Sequence, residues 1–179
     1  MECPRALTWF RYVGINVVRQ VISTELDPIM QLNTYLFLDG KCEEAFTRYQ
    51  QILGGEITAM IRHSGTPAEA QVPPEWHDKI MHVCLNFGDR QLMGSDACGR
   101  FERPQGFSVQ LATTSADEAE RVFARLAEGG NVTLPLAPTF WADRFGMLVD
   151  RFGVPWMINY DGEANSAART TAAPTFVGA

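Results

Sequence analysis

The sequence predicts an α+β protein in which two βαβββ modules form a curved mixed sheet around a cleft. Three observations predict it. First, residues 79–97 (KIMHVCLNFGDRQLMGSDA) and residues 144–161 (RFGMLVDRFGVPWMINYD) each read as a strand, a Phe-Gly turn and a second strand. Second, each hairpin is preceded by a strand, an amphipathic helix that stops at Gly-Gly, and another strand. Third, the copies align at nearly fixed spacing. A shift of 75 positions carries Leu36 onto Leu111, Glu43 onto Glu118, Gly54-Gly55 onto Gly129-Gly130 and Thr58 onto Thr133. For the hairpins the shift becomes 65, laying Phe87-Gly88 on Phe152-Gly153 and Asp96 on Asp161. Together these indicate internal duplication. One module alone would leave a sheet face bare, whereas two can enclose a shared cavity with the helices outside.

The elements follow in order. Residues 31–38 form a strand ended by Asp39-Gly40. Cys42–Leu53 is a helix, because Cys42, Ala45, Phe46, Tyr49, Ile52 and Leu53 recur three and four apart and make one apolar stripe. Gly54-Gly55 stops it. Glu56–Arg62 is a strand, and residues 63–78, rich in Pro, Gly, Ala and Glu, form an exposed loop. Ile80–Phe87 and residues 91–95 make the hairpin, and residues 98–105 a polar linker. The order then restarts with a strand at 107–113. Ser115-x-x-Glu118 is a capping box, in which the serine accepts from a free backbone N–H and the glutamate reaches back to the serine N–H. Residues 116–128 are helical, 131–134 a strand and 135–143 a loop. Residues 145–149 and Pro155–Tyr160 form the second hairpin, with Pro155 at a strand start. The domain organisation is an N-terminal extension (1–29), a repeat-built domain (30–161, modules 30–97 and 106–161) and a C-terminal tail (162–179).

Composition narrows the function. With 179 residues, 46% of them hydrophobic and 20% charged, the chain can bury a sizeable core. Its 15 basic and 21 acidic residues leave a net charge of −6, which disfavours nucleic acid as a partner. The cysteines Cys3, Cys42, Cys84 and Cys98 show no CxxC spacing and read as free thiols in a reducing cytoplasm. No stretch is long and apolar enough to span a membrane. Residues 1–29 contain ALTWFRYVGINVVRQVI, broken by Arg11, Asn16 and Arg19; Glu2 and the lack of a small-residue cleavage site make a poor signal peptide. Met30 is an alternative start. If the extension is native, its Trp9, Phe10 and Tyr12 need burial, for instance against a partner subunit.

The motifs EEAFTRYQQILGG, KIMHVCLNFGDRQLMGSD and FWADRFGMLVDRFGVPWMINY, within the duplicated βαβββ pattern, resemble the vicinal oxygen chelate superfamily. That superfamily includes glyoxalase I, bleomycin-resistance proteins, fosfomycin-resistance enzymes and extradiol dioxygenases. The PhnB-like branch is the nearest match, over residue 30 to about residue 161. The resemblance implies a glyoxalase-like fold and a homodimer. In members of known activity it also implies one divalent metal, held by His or Glu on the first and last strands of each module. Carried over by position, those sites fall at Asn33, Leu92, Ser108 (with Phe107 beside it) and Met157. Divalent metals favour imidazole, carboxylate or thiolate, so no metal and no cofactor are expected here. A one-residue slip in register would turn these faces over.

Several residues are candidates for a role in the cleft. His82 shares a strand face with Ile80, Cys84 and Asn86 if alternation holds, an unusually polar set for a core. Cavity lining explains it, and His82 is the tentative catalytic acid or base; a satisfied structural histidine is the plain alternative. Tyr35 shares the Asn33 face and offers a hydroxyl to a ligand. Trp141, in a loop, suits a pocket rim, whereas Trp156 should point away from Met157 into the core. The candidate ligand-binding set is therefore Asn33, Tyr35, His82, Ser108, Trp141 and Met157. His63 and His77 read as surface histidines, and Asp96 and Asp161 as turn or cap residues, with Asp96 an alternative at the cavity mouth. Cys84 sits too far along the strand for easy activation by His82. Arg100 and Arg103 are solvated, or guide an anionic ligand. The function these readings support is metal-free binding of a small organic molecule. The alternative is an isomerase or lyase of the same superfamily that uses His82 or an atypical metal site.

Overall fold

The computed structural model describes residues 32–162, apart from residues 89 and 100. The N-terminal extension, Arg100 and all of the predicted tail except Gly162 lie outside the described residues. The elements are β1 (Thr34–Leu38), α1 (Cys42–Leu53), β2 (Glu56–Arg62), β3 (Ile80–Phe87), β4 (Arg90–Asp96), β5 (Val109–Ala112), α2 (Ala116–Ala127), β6 (Asn131–Ala137), β7 (Arg144–Val149) and β8 (Pro155–Tyr160). They build two four-stranded sheets, ordered β1-β4-β3-β2 and β5-β8-β7-β6. In each, the first strand pairs parallel with the last and the other pairs are antiparallel. Both modules thus carry the same mixed topology, the glyoxalase-like arrangement. The repeat extends to irregularities. The register slips at Thr58 in β2 and at Thr133 in β6, so matching residues bulge.

The hairpins, however, do not superpose at the predicted shift. Leu85 pairs with Leu92, and Leu148 with Trp156. Leu92 is therefore equivalent to Trp156, and Met93 to Met157. The reason is the turn. Phe87 and Arg90 pair across two residues that include Gly88 (φ +56°). Val149 and Pro155 pair across a longer turn built on Asp150. Asp96 consequently matches Tyr160, not Asp161.

The described chain falls into two compact units. One runs to Glu43 and resumes at Glu56–Phe101. In β1, Leu36 and Leu38 are buried and Tyr35 and Phe37 exposed, the alternation of a half-buried strand. Leu36, Leu38, Val83, Leu85 and Leu92 form the covered face. The carboxylate of Asp96, also on that face, accepts from the Cys42 N–H and the Ile80 N–H, both at 2.9 Å. It satisfies one of the unpaired donors at the start of α1 and pins the start of β3. Asp96 is therefore a buried structural residue. Burial raises its pKa, while those two hydrogen bonds, Lys79 and His63 pull the other way. The 63–78 segment is not simply exposed. It contains two 3-10 turns (Glu69–Gln71 and Pro74–Trp76) and buries Val72. His63 is 1% exposed, against the expectation of a surface histidine, and its backbone continues the ladder from β2, with its N–H bonded to Lys79 O. His77 is partly exposed, 3.5 Å from Glu69.

The second unit contains Glu44–Gly55 and the residues from 102 onward. Although α1 precedes β2 in sequence, its Tyr49 hydroxyl donates to Asp150 at 2.6 Å and its ring meets Phe152 and Trp156 edge-on. The two helix ends cap each other. Arg121 and Arg125 donate to the Ile52 and Gln51 carbonyls at the end of α1, and Arg48 donates to Arg125 O and Glu128 at the end of α2. Ser115 caps α2 as expected, accepting from the Glu118 N–H at 3.1 Å. The Glu118 carboxylate reaches one residue further back than expected, to the Thr114 N–H and hydroxyl, and these bonds lower its pKa. β6 runs three residues beyond its predicted end, through Pro135, which an edge strand tolerates.

Candidate functional site

The register fixes which side chains share a sheet face. In the first unit, Tyr35 pairs with Met93, and Met93 with Cys84. Tyr35 and Phe37 of β1 therefore share a face with Gln91, Met93 and Ser95 of β4 and with His82, Cys84 and Asn86 of β3. Asn33 directly precedes β1 and falls on the same side by alternation. Leu92 lies on the opposite, covered face and is 4% exposed. The slip in register foreseen from sequence is real here, and Met93 takes the place assigned to Leu92.

This face is polar but carries no charged side chain on β1, β3 or β4. Tyr35 is 39% exposed, with its hydroxyl 3.4 Å from His82 Nδ1 and the two rings stacked at 5.9 Å. Because that hydroxyl end is desolvated, the phenol's pKa is raised, with a hydrogen bond to Ser95 working against the rise. Burial lowers the His82 pKa below the ordinary histidine value, which favours the neutral imidazole. Cys84 donates its thiol proton to Asn86 Oδ1 at 3.2 Å, and Gln91 donates its amide to the same oxygen at 3.2 Å. The thiol partner is an amide oxygen, which takes no proton, so Cys84 is not set up as a nucleophile.

In the second unit the matching face holds Gln110, Phe145, Met147, Val149, Pro155, Met157 and Asn159. Met157 pairs with Gln110 and Met147. Ser108 precedes β5 on that side by alternation. Trp141 packs edge-on against Phe145 at 5.4 Å and against Phe140 at 4.5 Å. Trp156 is buried on the other face and donates its indole N–H to Asp150 at 2.8 Å, as expected of a core tryptophan. Position by position, Tyr35 answers to Gln110, His82 to Phe145, Cys84 to Met147 and Asn86 to Val149. The hydrogen-bonding groups are concentrated in one repeat. Sequence reasoning missed Asn86, Gln91 and Ser95 as a group, since only the β3–β4 register brings them together. The sole advance signal was the polar alternation around His82.

The divalent metal implied by the resemblance can be tested against these residues. By register its four positions are Asn33, Met93, Ser108 and Met157. None offers imidazole, carboxylate or thiolate, so the donor set does not fit a divalent ion. Among the described residues no three His, Cys, Asp or Glu side chains converge to hold one. No described helix is long and apolar enough to cross a membrane. Arg103 is exposed in the linker.

Comparisons with known proteins agree with the fold. Residues 30–159 match the family model described as 3-demethylubiquinone-9 3-methyltransferase. Protein YjdN of Escherichia coli strain K12 is 34% identical over 139 residues, which is 73% of this chain and 95% of YjdN. The crystal structure of PA1353 from Pseudomonas aeruginosa is 47% identical, covers 74% of this chain and 98% of its own, and superposes with a TM-score of 0.69. A putative 3-demethylubiquinone-9 3-methyltransferase, PhnB protein, from Bacillus cereus is 24% identical, with a TM-score of 0.63 over 73% of this chain and 99% of its own; that likeness concerns the fold alone.

Proposed function

We propose that this chain, which belongs to the 3-demethylubiquinone-9 3-methyltransferase family, a PhnB-like branch of the vicinal oxygen chelate superfamily, binds a small organic molecule without a metal. The observation that carries this reading is the face of Tyr35, His82, Asn86, Gln91 and Ser95. It is half-buried and hydrogen-bonding, with no charged side chain on β1, β3 or β4, and the second repeat, though it keeps Gln110 and Asn159, has Phe145, Val149 and Pro155 where His82, Asn86 and Gln91 stand. A core would not gather such groups, whereas ligand sites combine apolar surface with a few placed polar groups. Asn33 and, in the second unit, Ser108, Trp141 and Met157 are retained as candidate contacts. The methyl transfer in the family's description is not proposed. β1 leads into α1 through residues 39–41 with one glycine, not through a glycine-rich loop able to hold a methyl-donor nucleotide. We place the protein in the cytoplasm, on account of the buried thiols Cys42 and Cys84, and as a homodimer, on account of the family likeness.

Native mass spectrometry of the full chain tests the reading. The expected result is a co-purified organic mass that survives treatment with a chelator. A stoichiometric divalent metal whose removal releases the ligand would overturn it. The enzyme reading keeps one specific support, the Tyr35 hydroxyl beside His82, an acid–base pair in reach of a ligand. A ligand mass that changes on incubation with the protein, but not with His82→Phe, would favour it.

A further inference from the structure

The substrate class follows from a detail at the hairpin end of the same face, and the inference rests on the binding reading above. Asn86 and Gln91 are a register pair. The Asn86 Oδ1 is occupied twice, by the Cys84 thiol and by Gln91 Nε2. Those bonds orient both amides. The Asn86 Nδ2 donors and the Gln91 Oε1 acceptor have no partner among the described residues, and both side chains are half-buried. One register pair on adjacent strands thus carries both a hydrogen-bond donor and an acceptor that the protein leaves unused among the described residues. From Asn86 to His82 the face runs four residues along β3, about 13 Å at a strand's rise, over Cys84 and Met93 and toward Tyr35.

We infer that this face takes a flat, uncharged ligand carrying an amide, lactam or imide edge, with the Asn86 amide donating to the ligand's carbonyl and Gln91 Oε1 accepting from its N–H. A carboxylate has the same shape but only acceptors. It would meet Gln91 Oε1 as a second acceptor and leave it unpaired, the mismatch that rejects isosteres most strongly. Glu56, opposite Asn86 on β2, disfavours an anion further. The second repeat has Val149 and Pro155 at the matching positions, so the donor–acceptor couple is not a by-product of the fold.

The test uses the full chain, 15N-labelled at backbone and side-chain amides, titrated at pH 7 with 2-naphthamide and with 2-naphthoate. The expected result is that the amide binds at least about 10-fold tighter and moves the side-chain NH2 signals of Asn86 and Gln91. Asn86→Asp, which keeps the acceptor for Cys84 and Gln91 and so the fold, removes that preference. Equal affinities, or binding that moves signals near Tyr35 and His82 but not those NH2 groups, would overturn the amide edge and leave the binding reading standing. No perturbation anywhere on the face by either compound would sink both.

Discussion

Replacing Asp150 by Asn should remove a large share of the protein's stability, and the amount can be worked from the hydrogen bonds. The carboxylate is 5% exposed and has four donors around it. Oδ1 accepts from the Phe152 N–H at 2.8 Å and the Val154 N–H at 3.0 Å; Oδ2 accepts from the Tyr49 hydroxyl at 2.6 Å and the Trp156 indole at 2.8 Å. An Asn side chain has one oxygen. Whichever oxygen becomes NH2, two buried donors face another donor. A hydrogen bond to a charged group contributes about 1.5–3 kcal/mol, and an orphaned buried donor costs on the same scale. Burying a neutral amide is easier than burying a carboxylate, which offsets part of the loss. The net expectation is about 3–4 kcal/mol, against a typical total of about 5–15 kcal/mol. Tyr49→Phe removes a single donor and leaves Oδ2 with Trp156, so about 1–2 kcal/mol is expected. Because the two residues share a bond, the double variant should cost at least about 1 kcal/mol less than the sum. Urea unfolding, followed by circular dichroism, supplies the numbers, with the midpoint moving and the slope unchanged. A loss below about 1 kcal/mol for Asp150→Asn, or strict additivity with Tyr49→Phe, would refute the picture of one carboxylate holding α1, the β7–β8 turn and Trp156 together.

Three further outcomes are expected. Gly146→Ala places a methyl 2.8 Å from the Phe123 ring and 2.9 Å from the Leu136 backbone, and should cost about 1–3 kcal/mol through overpacking, read as a fall in Tm. Ser115→Ala removes the α2 cap and should cost about 1 kcal/mol in the same assay. Stability should also fall as the pH drops below 6.5. Burial lowers the folded pKa of His63 and His82 beneath the ordinary histidine value, so the unfolded chain takes up protons first. The stabilisation is complete above that value and is lost toward the folded pKa, at up to about 1.4 kcal/mol per pH unit for each group. Thermal melts at pH 7.5 and 5.5 should show the decline, and His82→Gln should make it shallower; an unchanged slope in that variant would remove His82 from the account.

Period and punctuation made the architecture legible. The apolar stripe of α1, the Gly-Gly stops and the paired hairpins were enough to place every strand and helix in order. The wider turn of the second hairpin was not legible, because Phe152-Gly153 imitates Phe87-Gly88 while Asp150, through its own side chain, closes a longer loop. That one-residue difference put Leu92 on the wrong face. The site was legible to the same degree. Tyr35 and His82 were each legible as cleft candidates from strand alternation, but β4 lies between their strands, and only the sheet order brings them together on one face. The Asn86–Gln91 contact depends on which residues pair across the turn, and His63 is buried although it opens a segment whose composition reads as exposed. Tertiary placement decided those two cases, and propensity carries no trace of it.

The divergence between the repeats allows one more argument. If the polar face existed for the fold, its residues would be at least as stabilising as their counterparts in the other repeat. The counterpart of Asn86 is Val149, a residue better suited to a half-buried strand. Asn86→Val removes an amide whose donors find no partner among the described residues, and it loses two acceptances at 3.2 Å, one from the buried Cys84 thiol, a weak donor, and one from the half-buried Gln91 amide, which water can reach. The gain from burying the valine and the loss of those bonds are each about 1 kcal/mol, so the variant should be as stable as the parent or up to about 1 kcal/mol more so. At the same time it should lose the preference for an amide over a carboxylate. That pairing of unchanged or improved stability with lost discrimination is the signature of a residue kept for a ligand. If Asn86→Val instead costs more than about 1 kcal/mol in urea unfolding, Asn86 serves to hold Cys84 and Gln91 in place. The first repeat's polarity would then be explained by packing, with no ligand required.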